Sequence, residues 1–262
     1  SPRPITHAFI EACAQHGIAP NPDYNGDRQD GAYLFQVTQF HDAARRGQRC
    51  SAAAAFVHPV LQRPNLTLLT RTHATRVLFE GRRAVGVQAR QRGRSLSLRA
   101  RREVVLCAGA LQTPQLLLLS GVGPAEELQR HGIPLLHRLP GVGQNLQDHL
   151  DLTLSYRSDR TDLFGIGLGA AWQHWQAWRQ WRRDGSGPLS SPSAEGGAFW
   201  RSQPELDRPD LQLPFCVGIV DDHARKLHWG YGFSCHVCVL RPHSRGRVGL
   251  HSADPLAAPL ID

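Results

Sequence analysis

Apolar side chains recur with helical spacing in two stretches near the beginning of the chain. In the first twenty residues they share one face of a predicted helix: Phe9, Ile10, Cys13 and Ala14. Gly17 follows them, and a glycine just after the last periodic residue is typical of a helix C-terminus. The alanine-rich run from Ser51 to Val57 predicts another helix, which ends before Pro59. Residues 20–50 between the two are rich in turn-forming residues.

The spacing changes to that of β-strands from residue 65 onward. Four short runs have strand character: 66–70, 74–79, 84–89 and 95–98. Gly81 and Gly93 fall between runs and mark turns. Because polar and apolar residues alternate in the last run, one face of the sheet should be solvated. The pattern predicts an antiparallel meander.

A continuous apolar run from Glu103 to Ala108 predicts a strand that is buried on both faces. Gly109 ends the run, and residues 112–119 predict a buried helix with Pro114 near its first turn. In open α/β sheets, ligands bind beyond the carboxyl ends of strands, where small residues allow close approach. Unpaired N–H groups at the start of this helix would favour a phosphate. The segment is a candidate dinucleotide contact, although plain strand-to-helix architecture gives the same pattern.

The character of the chain changes again beyond residue 150. Four tryptophans lie three residues apart on a predicted helix: Trp172, Trp175, Trp178 and Trp181. Successive rings on such a ridge rotate by about 60°, so the indoles should cover a broad side close to several arginines. That side could pack on a sheet while its rim arginines reach water, or it could lie on a membrane surface. Packing predicts that at least two of the indoles are buried. Several strands follow a Gly/Ser/Pro-rich loop at 185–197.

Composition narrows the class of protein. Hydrophobic residues make up 41% of the chain and charged residues 20%, a globular balance that argues against disorder. The formal net charge is +8, but the arginines are dispersed and no nucleic-acid-binding motif accompanies them. We therefore expect a solvated surface and no nucleic-acid partner. No apolar run approaches the roughly 18 residues needed to span a bilayer, and no signal peptide opens the chain.

The cysteines are scattered along the sequence: Cys13, Cys50, Cys107, Cys216, Cys235 and Cys238. Without a secretion signal, this distribution favours reduced thiols in a cytoplasmic setting. Cys235 and Cys238 have the CxxC spacing of metal and redox sites. They fall on a predicted strand, Tyr231 to Leu240, where residues three apart point to opposite faces, so we expect a structural pair. The chain has no Met and begins with Ser1, which we interpret as an internal piece of a longer protein.

The segment from Gly109 to Gly123, GALQTPQLLLLSGVG, resembles the second signature of the glucose-methanol-choline (GMC) oxidoreductases. That signature runs from a small residue through Ser/Thr-Pro and an aliphatic pair to Ser-Gly-aliphatic-Gly. Further landmarks that resemble the family occur in matching order along essentially the whole chain: 49–51, 63–66, Ala74, 84–87, 139–149, 195–199 and 240–246. Within the family, the sequence resembles the choline-dehydrogenase-like branch.

The resemblance implies a cofactor, a fold and three site residues. FAD would be held through the backbone at Ala74, which contacts the adenine, and through close approach at Ala108 and Gly109. The fold would be α/β plus α+β: a partial Rossmann-like FAD-binding domain with a β-meander, and a partial substrate domain built on an antiparallel sheet with helices. Residues 1–50 would border both domains, 51–149 would belong to the FAD-binding domain and 150–262 to the substrate-binding domain.

The resemblance also implies chemistry for which this chain holds only part of the apparatus. A His base would assist hydride transfer from a small-molecule alcohol to flavin N5. The family's N-terminal GxGxxG is absent from residues 1–262, and its catalytic His lies well beyond a landmark similar to 244–246. We therefore assign no catalytic or metal-binding residue here. His149 is expected to be a hydrogen-bonded packing residue, and His223 a partner of the carboxylates beside it.

Two other functions stay open from the sequence. Some members of the family are lyases that act on cyanohydrins, and an arginine-rich anion-binding protein without catalysis is a further alternative. The sequence specifies neither the alcohol nor the electron acceptor. An acceptor in the inner membrane would make peripheral membrane contact an expected property.

Overall fold

The computed structural model describes residues 2–222 and 225–262, and its helices lie largely where the periodicity predicts them. The α-helices are α1 (Pro4–Gln15), α2 (Gly109–Leu119), α3 (Ala125–Arg130) and α4 (Leu168–Asp184). The alanine-rich run forms a π-helical turn at Ala53–Val57 that continues into a 3-10 turn at His58–Val60; a further 3-10 turn lies at Pro188–Ser190.

Helix α2 begins three residues earlier than the sequence predicted, at Gly109 instead of Gln112. Pro114 is therefore the sixth residue of the helix and lies in its interior, so the prediction that it occupies the first turn is wrong. Because proline has no N–H, the carbonyl of Ala110 lacks its usual helical donor. The early start follows from Gly109, whose φ of +79° turns the chain into the helix.

The strands alternate with these helices along the chain. They are β1 (Gly31–Leu34), β2 (Thr72–Glu80), β3 (Arg83–Gln91), β4 (Arg94–Arg99), β5 (Val122–Gly123), β6 (His137–Arg138), β7 (Gln144–Leu146), β8 (Leu150–Ser158), β9 (Gly165–Ile166), β10 (Ala194–Trp200), β11 (Leu211–Cys216), β12 (Gly230–Val239), β13 (Gly246–Gly249) and β14 (Leu260–Ile261). Of these, the short β1 had no signal in the turn-rich region that surrounds it.

The chain folds into two compact units. The first combines Ser1–Arg63 with His149–Pro242, and the second combines Pro64–Asp148 with His243–Asp262. The chain thus passes from one unit to the other next to the predicted boundary at 149/150, while 51–63 belong to the first unit and 243–262 to the second. Which unit serves the cofactor and which the substrate stays a prediction.

The first unit is built on an antiparallel sheet in the order β1-β10-β11-β12-β8, with β9 paired to β12. Helix α1 covers one face through its apolar side: Phe9 stacks on Phe215 at 4.7 Å, and Cys13 packs with Ala32 and Ala198. Cys235 and Cys238 lie on β12 as predicted. Their alternation places Cys235 toward the cluster around Phe215 and Cys238 on the opposite face.

A buried carboxylate fastens α1 to this sheet. Glu195, on β10, is 3% exposed, and its ion-pair partner Arg3 is 8% exposed. The same carboxylate accepts hydrogen bonds from the Arg3 backbone N–H (2.6 Å), the Thr6 hydroxyl (2.9 Å) and the Ser191 hydroxyl (2.7 Å). Because a buried charge is costly unless it is paired and hydrogen-bonded, this network fixes the position of α1.

The second unit contains the predicted meander, β2-β3-β4, which is antiparallel throughout. Helix α2 packs against β2 and shares a core with α3: Leu118, Leu119, Leu128, Ile133, Val142 and Leu250. A second small sheet, β14-β13-β7, joins the end of the chain to this core. The Glu127 carboxylate accepts a hydrogen bond from the Leu250 N–H at 2.9 Å and so connects α3 to that sheet.

Two strand predictions in this unit are wrong. Residues 66–70 form no strand, and the apolar run from Glu103 to Ala108 is coil whose Val105 is 70% exposed. A continuous apolar run indicates burial on both faces, but burial requires partner strands, and within the described residues no strand pairs with 103–108. The apolar composition of a run does not show whether partner strands are present.

The tryptophans do lie on a helix, α4, but the expected burial of at least two indoles is wrong. Trp172, Trp175 and Trp178 are 58%, 43% and 50% exposed, and Trp181 is partly buried with its indole N–H donating to the Gly47 carbonyl at 3.3 Å. Trp181 is less exposed than the other three because the helical rotation places only its indole on the side of the buried Ala177. In the described part of the chain, none of the helices combines the length and apolar content needed to cross a bilayer.

Candidate functional site

Two of the three predicted cofactor-binding residues line one cleft in the second unit. The cleft has a volume of about 240 Å³. Its walls are formed by β2, the start of α2 and a segment near the end of the chain: Thr72, His73, Ala74, Ala108, Gln112, Gln115, Leu116, Leu119 and Pro255. Ala74 and Ala108 are thus brought together from positions far apart in the sequence. Their small side chains leave the backbone on both sides open to a ligand.

Side-chain and backbone hydrogen bonds hold the strand and helix that form this cleft. The Val77 N–H, on β2, donates to the Ser120 hydroxyl at 2.8 Å, and that hydroxyl donates to the Leu116 carbonyl at 2.6 Å. The Arg76 Nε donates to the Leu119 carbonyl at 3.2 Å. The C-terminal end of α2 is therefore fixed to β2, whereas residues 109–112 at its N-terminal end are exposed.

The third wall is fixed to the other two by two contacts. Nε2 of His73 lies 2.9 Å from the Pro255 carbonyl, and the Gln115 amide donates to the Ala257 carbonyl at 2.8 Å. Gln115 is 6% exposed, so this contact is one of the few ways to satisfy a buried amide. Pro255 lines this candidate cleft, and the sequence reasoning missed it because nothing local to it indicates where it packs.

The N-terminus of α2 opens beside this cleft without a side-chain cap. Ala108 is the N-cap residue, and residues 109–112 are exposed. The first N–H groups of a helix have no intrahelical partner and carry the positive end of the helix dipole, a combination that suits an anionic group. A Cβ built on Gly109 would meet nothing within 4 Å, so the side of the backbone that a side chain would occupy is open.

Strand β2 also offers backbone groups at this position. It is an edge strand of the meander, so alternate N–H and C=O groups point away from β3. The pairing shifts register between Ala74 and Arg76, where Thr75 is bulged out. Bulges of this kind redirect the local backbone and are common next to functional sites.

A second, larger cleft of about 470 Å³ lies on the other side of α2. It is lined by Ala110, Thr113, Pro114 and Leu117 of the helix, by residues 142–147, and by Val248. Asn145 has a φ of +66°, a left-handed conformation that polar Asn tolerates better than most residues. The sequence reasoning noted 139–149 as a landmark but assigned none of these residues to the site.

Among residues 2–222 and 225–262, no group of three His, Cys, Asp or Glu side chains is placed to hold a metal ion. Cys107 is exposed beside the first cleft. His149 is exposed and lies where the chain enters the first unit, and His223 is outside the described residues.

One polar cluster in the first unit was not found from sequence. It joins β8 and β12: the Asp151 carboxylate lies 2.8 Å from Nδ1 of His236 and accepts a hydrogen bond from the Cys238 thiol at 3.2 Å. Burial and the neighbouring Asp151 raise the pKa of Cys238 to about 12, so this thiol stays protonated and unreactive. Nε2 of His236 is buried without a hydrogen-bond partner among the described residues.

Comparisons with known proteins find similar sequences along nearly the whole chain. A family model described as GMC oxidoreductase matches residues 1–151. An alcohol dehydrogenase [acceptor] of Pseudomonas putida is 46% identical over 99% of this chain and 46% of its own length. The mitochondrial choline dehydrogenase of Mus musculus is 38% identical over 98% of this chain and 42% of its own length.

Solved structures show the same similarity. A formate oxidase of Aspergillus oryzae, studied for its FAD modification, superposes with a TM-score of 0.84 at 26% identity, over 99% of this chain and 49% of that one. A pyridoxine 4-oxidase of Mesorbium loti superposes with a TM-score of 0.77 at 27% identity, over 99% and 46%. The chain therefore spans about half the length of the curated relatives and solved structures that it matches.

Proposed function

The chain belongs to the GMC oxidoreductase family, and from that membership we propose that it forms part of an FAD-dependent oxidoreductase that acts on the CH–OH group of a small alcohol. Relatives named as alcohol and choline dehydrogenases support this proposal. The observation that carries it is local: Ala74 and Ala108 line one cleft at the uncapped start of α2. That is where a phosphate-bearing cofactor would be favoured.

The residues of the second unit fit such a cofactor in three respects. Backbone groups of the edge strand β2 near Ala74 would contact the adenine. Because the contact is made by the backbone, the small side chain of Ala74 is acceptable there. Ala108 and Gly109 would lie against the cofactor, since a small N-cap residue and a glycine with open space beside it permit close approach. The free N–H groups of residues 109–112 would face the negative charge of the cofactor's phosphates. Bound FAD would supply the acceptor for a hydride from the carbinol carbon, at flavin N5.

The remaining parts of the apparatus are proposed to lie outside residues 1–262 in the complete protein. These parts are the GxGxxG turn and the His base, neither of which the resemblance places here. We assign 64–148 with 243–262 to the cofactor-binding part and the sheet unit to the substrate-binding part. No side chain of this chain is proposed to exchange a proton with the alcohol.

The complete gene product tests the activity. We expect a yellow protein with a flavin absorption spectrum and alcohol-dependent reduction of an artificial electron-acceptor dye. A colourless protein that retains no flavin would overturn the proposal. Flavin retention together with cyanohydrin cleavage, but without dye reduction by any alcohol, would replace it with lyase chemistry.

A substitution pair tests the cleft. In the complete protein, Ala108→Leu should lower the flavin content of the purified enzyme at least tenfold, because the added side chain fills space that the cofactor would need. Ala253→Leu adds the same atoms at an exposed position outside the cleft and should retain wild-type flavin. Equal flavin content in both variants would contradict the placement at Ala108.

The isolated chain should bind FAD poorly. It lacks the glycine turn that would cradle the pyrophosphate, and affinity depends on a preorganised site. Titration of FAD into residues 1–262, followed by flavin fluorescence, should give no tight stoichiometric binding. We also propose that the exposed indoles of α4 provide peripheral contact with a membrane surface, since packing within the chain does not account for them.

A further inference from the structure

Helix α4 has its apolar side turned away from the protein. The side that faces the first unit carries the buried Ala170 and Ala177 and the partly buried Trp181. The outer side instead carries Leu168, which is 93% exposed, and the three exposed indoles. Helices on the surface of globular proteins normally show the reverse arrangement, and a contiguous exposed apolar patch marks an interaction site.

The arrangement follows from helical geometry. At about 100° per residue, Trp172, Trp175 and Trp178 fall within one arc of roughly 120°, and Leu168 falls inside the same arc. Trp181 lies on the opposite side, next to Ala177. The indoles of Trp172 and Trp175 stack on each other with ring centroids 4.7 Å apart, so the outer side is a continuous aromatic surface.

The surface continues past the beginning of the helix. A Cβ on Gly167, the N-cap residue of α4, would lie 3.7 Å from the Trp229 ring. Trp229 is 73% exposed, and Ile166 beside it is 37% exposed. We call the combined set the Trp–Arg surface; its apolar members are Ile166, Leu168, Trp172, Trp175, Trp178 and Trp229, and its basic members are Arg179, Arg182 and Arg183.

Two of the three arginines are interleaved with the indoles, and Arg183 lies just beyond Trp172. By the helical rotation, Arg182 falls between Trp178 and Trp175, and Arg179 falls between Trp175 and Trp172. The Arg179 guanidinium lies 4.9 Å from the centroid of the Trp175 ring. The helix has a single carboxylate, Asp184, at its last position.

Asp184 pairs with Arg183. It accepts hydrogen bonds from the Ser186 hydroxyl at 2.6 Å and from the Arg183 guanidinium at 2.9 Å. These bonds lower the pKa of Asp184 to about 2. Arg179 and Arg182 have no carboxylate on the helix to pair with.

We propose that the Trp–Arg surface binds the surface of a bilayer that contains anionic lipids, with α4 lying parallel to the membrane plane. Indoles are favoured at the depth of the headgroups, and arginines bind lipid phosphates there. A protein partner would have to supply carboxylates for the guanidinium groups of Arg179 and Arg182, whereas anionic headgroups present negative charge across the whole membrane surface. The inference deepens the proposed membrane contact and is independent of flavin chemistry.

Vesicle co-sedimentation of the complete protein tests the proposal. It should pellet with phosphatidylglycerol-containing vesicles and remain largely in the supernatant with phosphatidylcholine vesicles. Replacing Arg179, Arg182 and Arg183 by Gln should weaken binding about fivefold for each arginine, and roughly 0.5 M salt should weaken binding of the wild type, because salt screens exposed charges. Arg90→Gln, Arg92→Gln and Arg94→Gln together remove the same charge from the second unit and should reduce binding much less.

The aromatic contribution has its own variant and control. Trp172→Ala, Trp175→Ala and Trp178→Ala combined should abolish pelleting, whereas Trp200→Ala, at an indole 46% exposed elsewhere in the unit, should not. In the unmodified chain, lipids brominated near the headgroup should quench tryptophan fluorescence, which needs no variant to fold.

Three results would overturn the proposal in different ways. Absence of pelleting and of quenching with every vesicle would remove the membrane contact itself. Equal binding to both lipid compositions would keep the contact and remove the anionic-lipid claim. A dimer in solution that the triple Trp variant dissociates, without any vesicle binding, would assign the surface to a second copy of the chain.

Discussion

Removing the Glu195 carboxylate should destabilise the first unit more than any surface change. Glu195→Ala deletes the acceptor of hydrogen bonds from Thr6, Ser191 and both the backbone and side chain of Arg3. It also leaves the Arg3 guanidinium, 9% exposed, without its counter-charge. Arg3 would keep its contact with the Phe164 ring, whose centroid is 4.1 Å away.

The magnitude follows from this burial. Breaking a buried ion pair by removing one partner costs about 3–5 kcal/mol, because the other charge stays buried and uncompensated. Glu195→Gln retains the volume but sets an amide NH₂ against donors, so about 2 kcal/mol is expected from the weakened charge-assisted bonds. In the double variant Arg3→Ala with Glu195→Ala, the loss should be clearly less than the sum of the single losses, since no buried charge remains.

Urea unfolding followed by tryptophan fluorescence measures this unit alone, because all six tryptophans lie between residues 172 and 229. A loss of about 4 kcal/mol should lower the midpoint by roughly 2 M. The control is Asp207→Ala, which removes an exposed partner of Arg208 in the same unit and should cost less than about 1 kcal/mol. A Glu195→Ala effect no larger than that of the control would refute the reasoning.

Three further predictions concern glycine conformation and thiol chemistry. Gly109→Val should abolish flavin retention in the complete protein, because valine is strained at positive φ and would occupy the open side, whereas Cys107→Ser should be tolerated; equal flavin absorbance in the two variants would count against this. Gly143→Ala should destabilise the second unit by about 2–4 kcal/mol in circular-dichroism unfolding, since φ is +77° and the methyl would overlap a carbonyl of β13. The control is Gly132→Ala, which should cost about 1 kcal/mol because Gly132 has a φ of +65° and no neighbour within 4 Å. Iodoacetamide at pH 8 should modify the exposed Cys107 but not Cys238, and rapid modification of Cys238 in the folded chain would contradict its burial. The pKa of Cys238 is raised from 9.0 to about 12, so the contribution of this thiol to stability should be lost as the pH rises between those values.

Local periodicity determined most of the secondary structure. Helix α1, the three strands of the meander and the helix of the GMC-like signature lie where the spacing predicts them, because i to i+4 and i to i+2 relationships are properties of the chain itself. The family also followed from sequence, since its signature is a run of adjacent residues. Ala74 and Ala108 were proposed from the same resemblance, and their role stays a prediction.

Tertiary structure alone decided which faces are covered and which distant residues meet. The apolar run 103–108 predicted burial but has no partner strand among the described residues, and the tryptophan ridge fixed a helix without fixing which side of it faces the protein. The bonds of Glu195 to Arg3 and of Asp151 to His236 join residues 192 and 85 positions apart. A sequence pattern records the period of an element, whereas burial and pairing depend on what the fold places against it, and that information is not local.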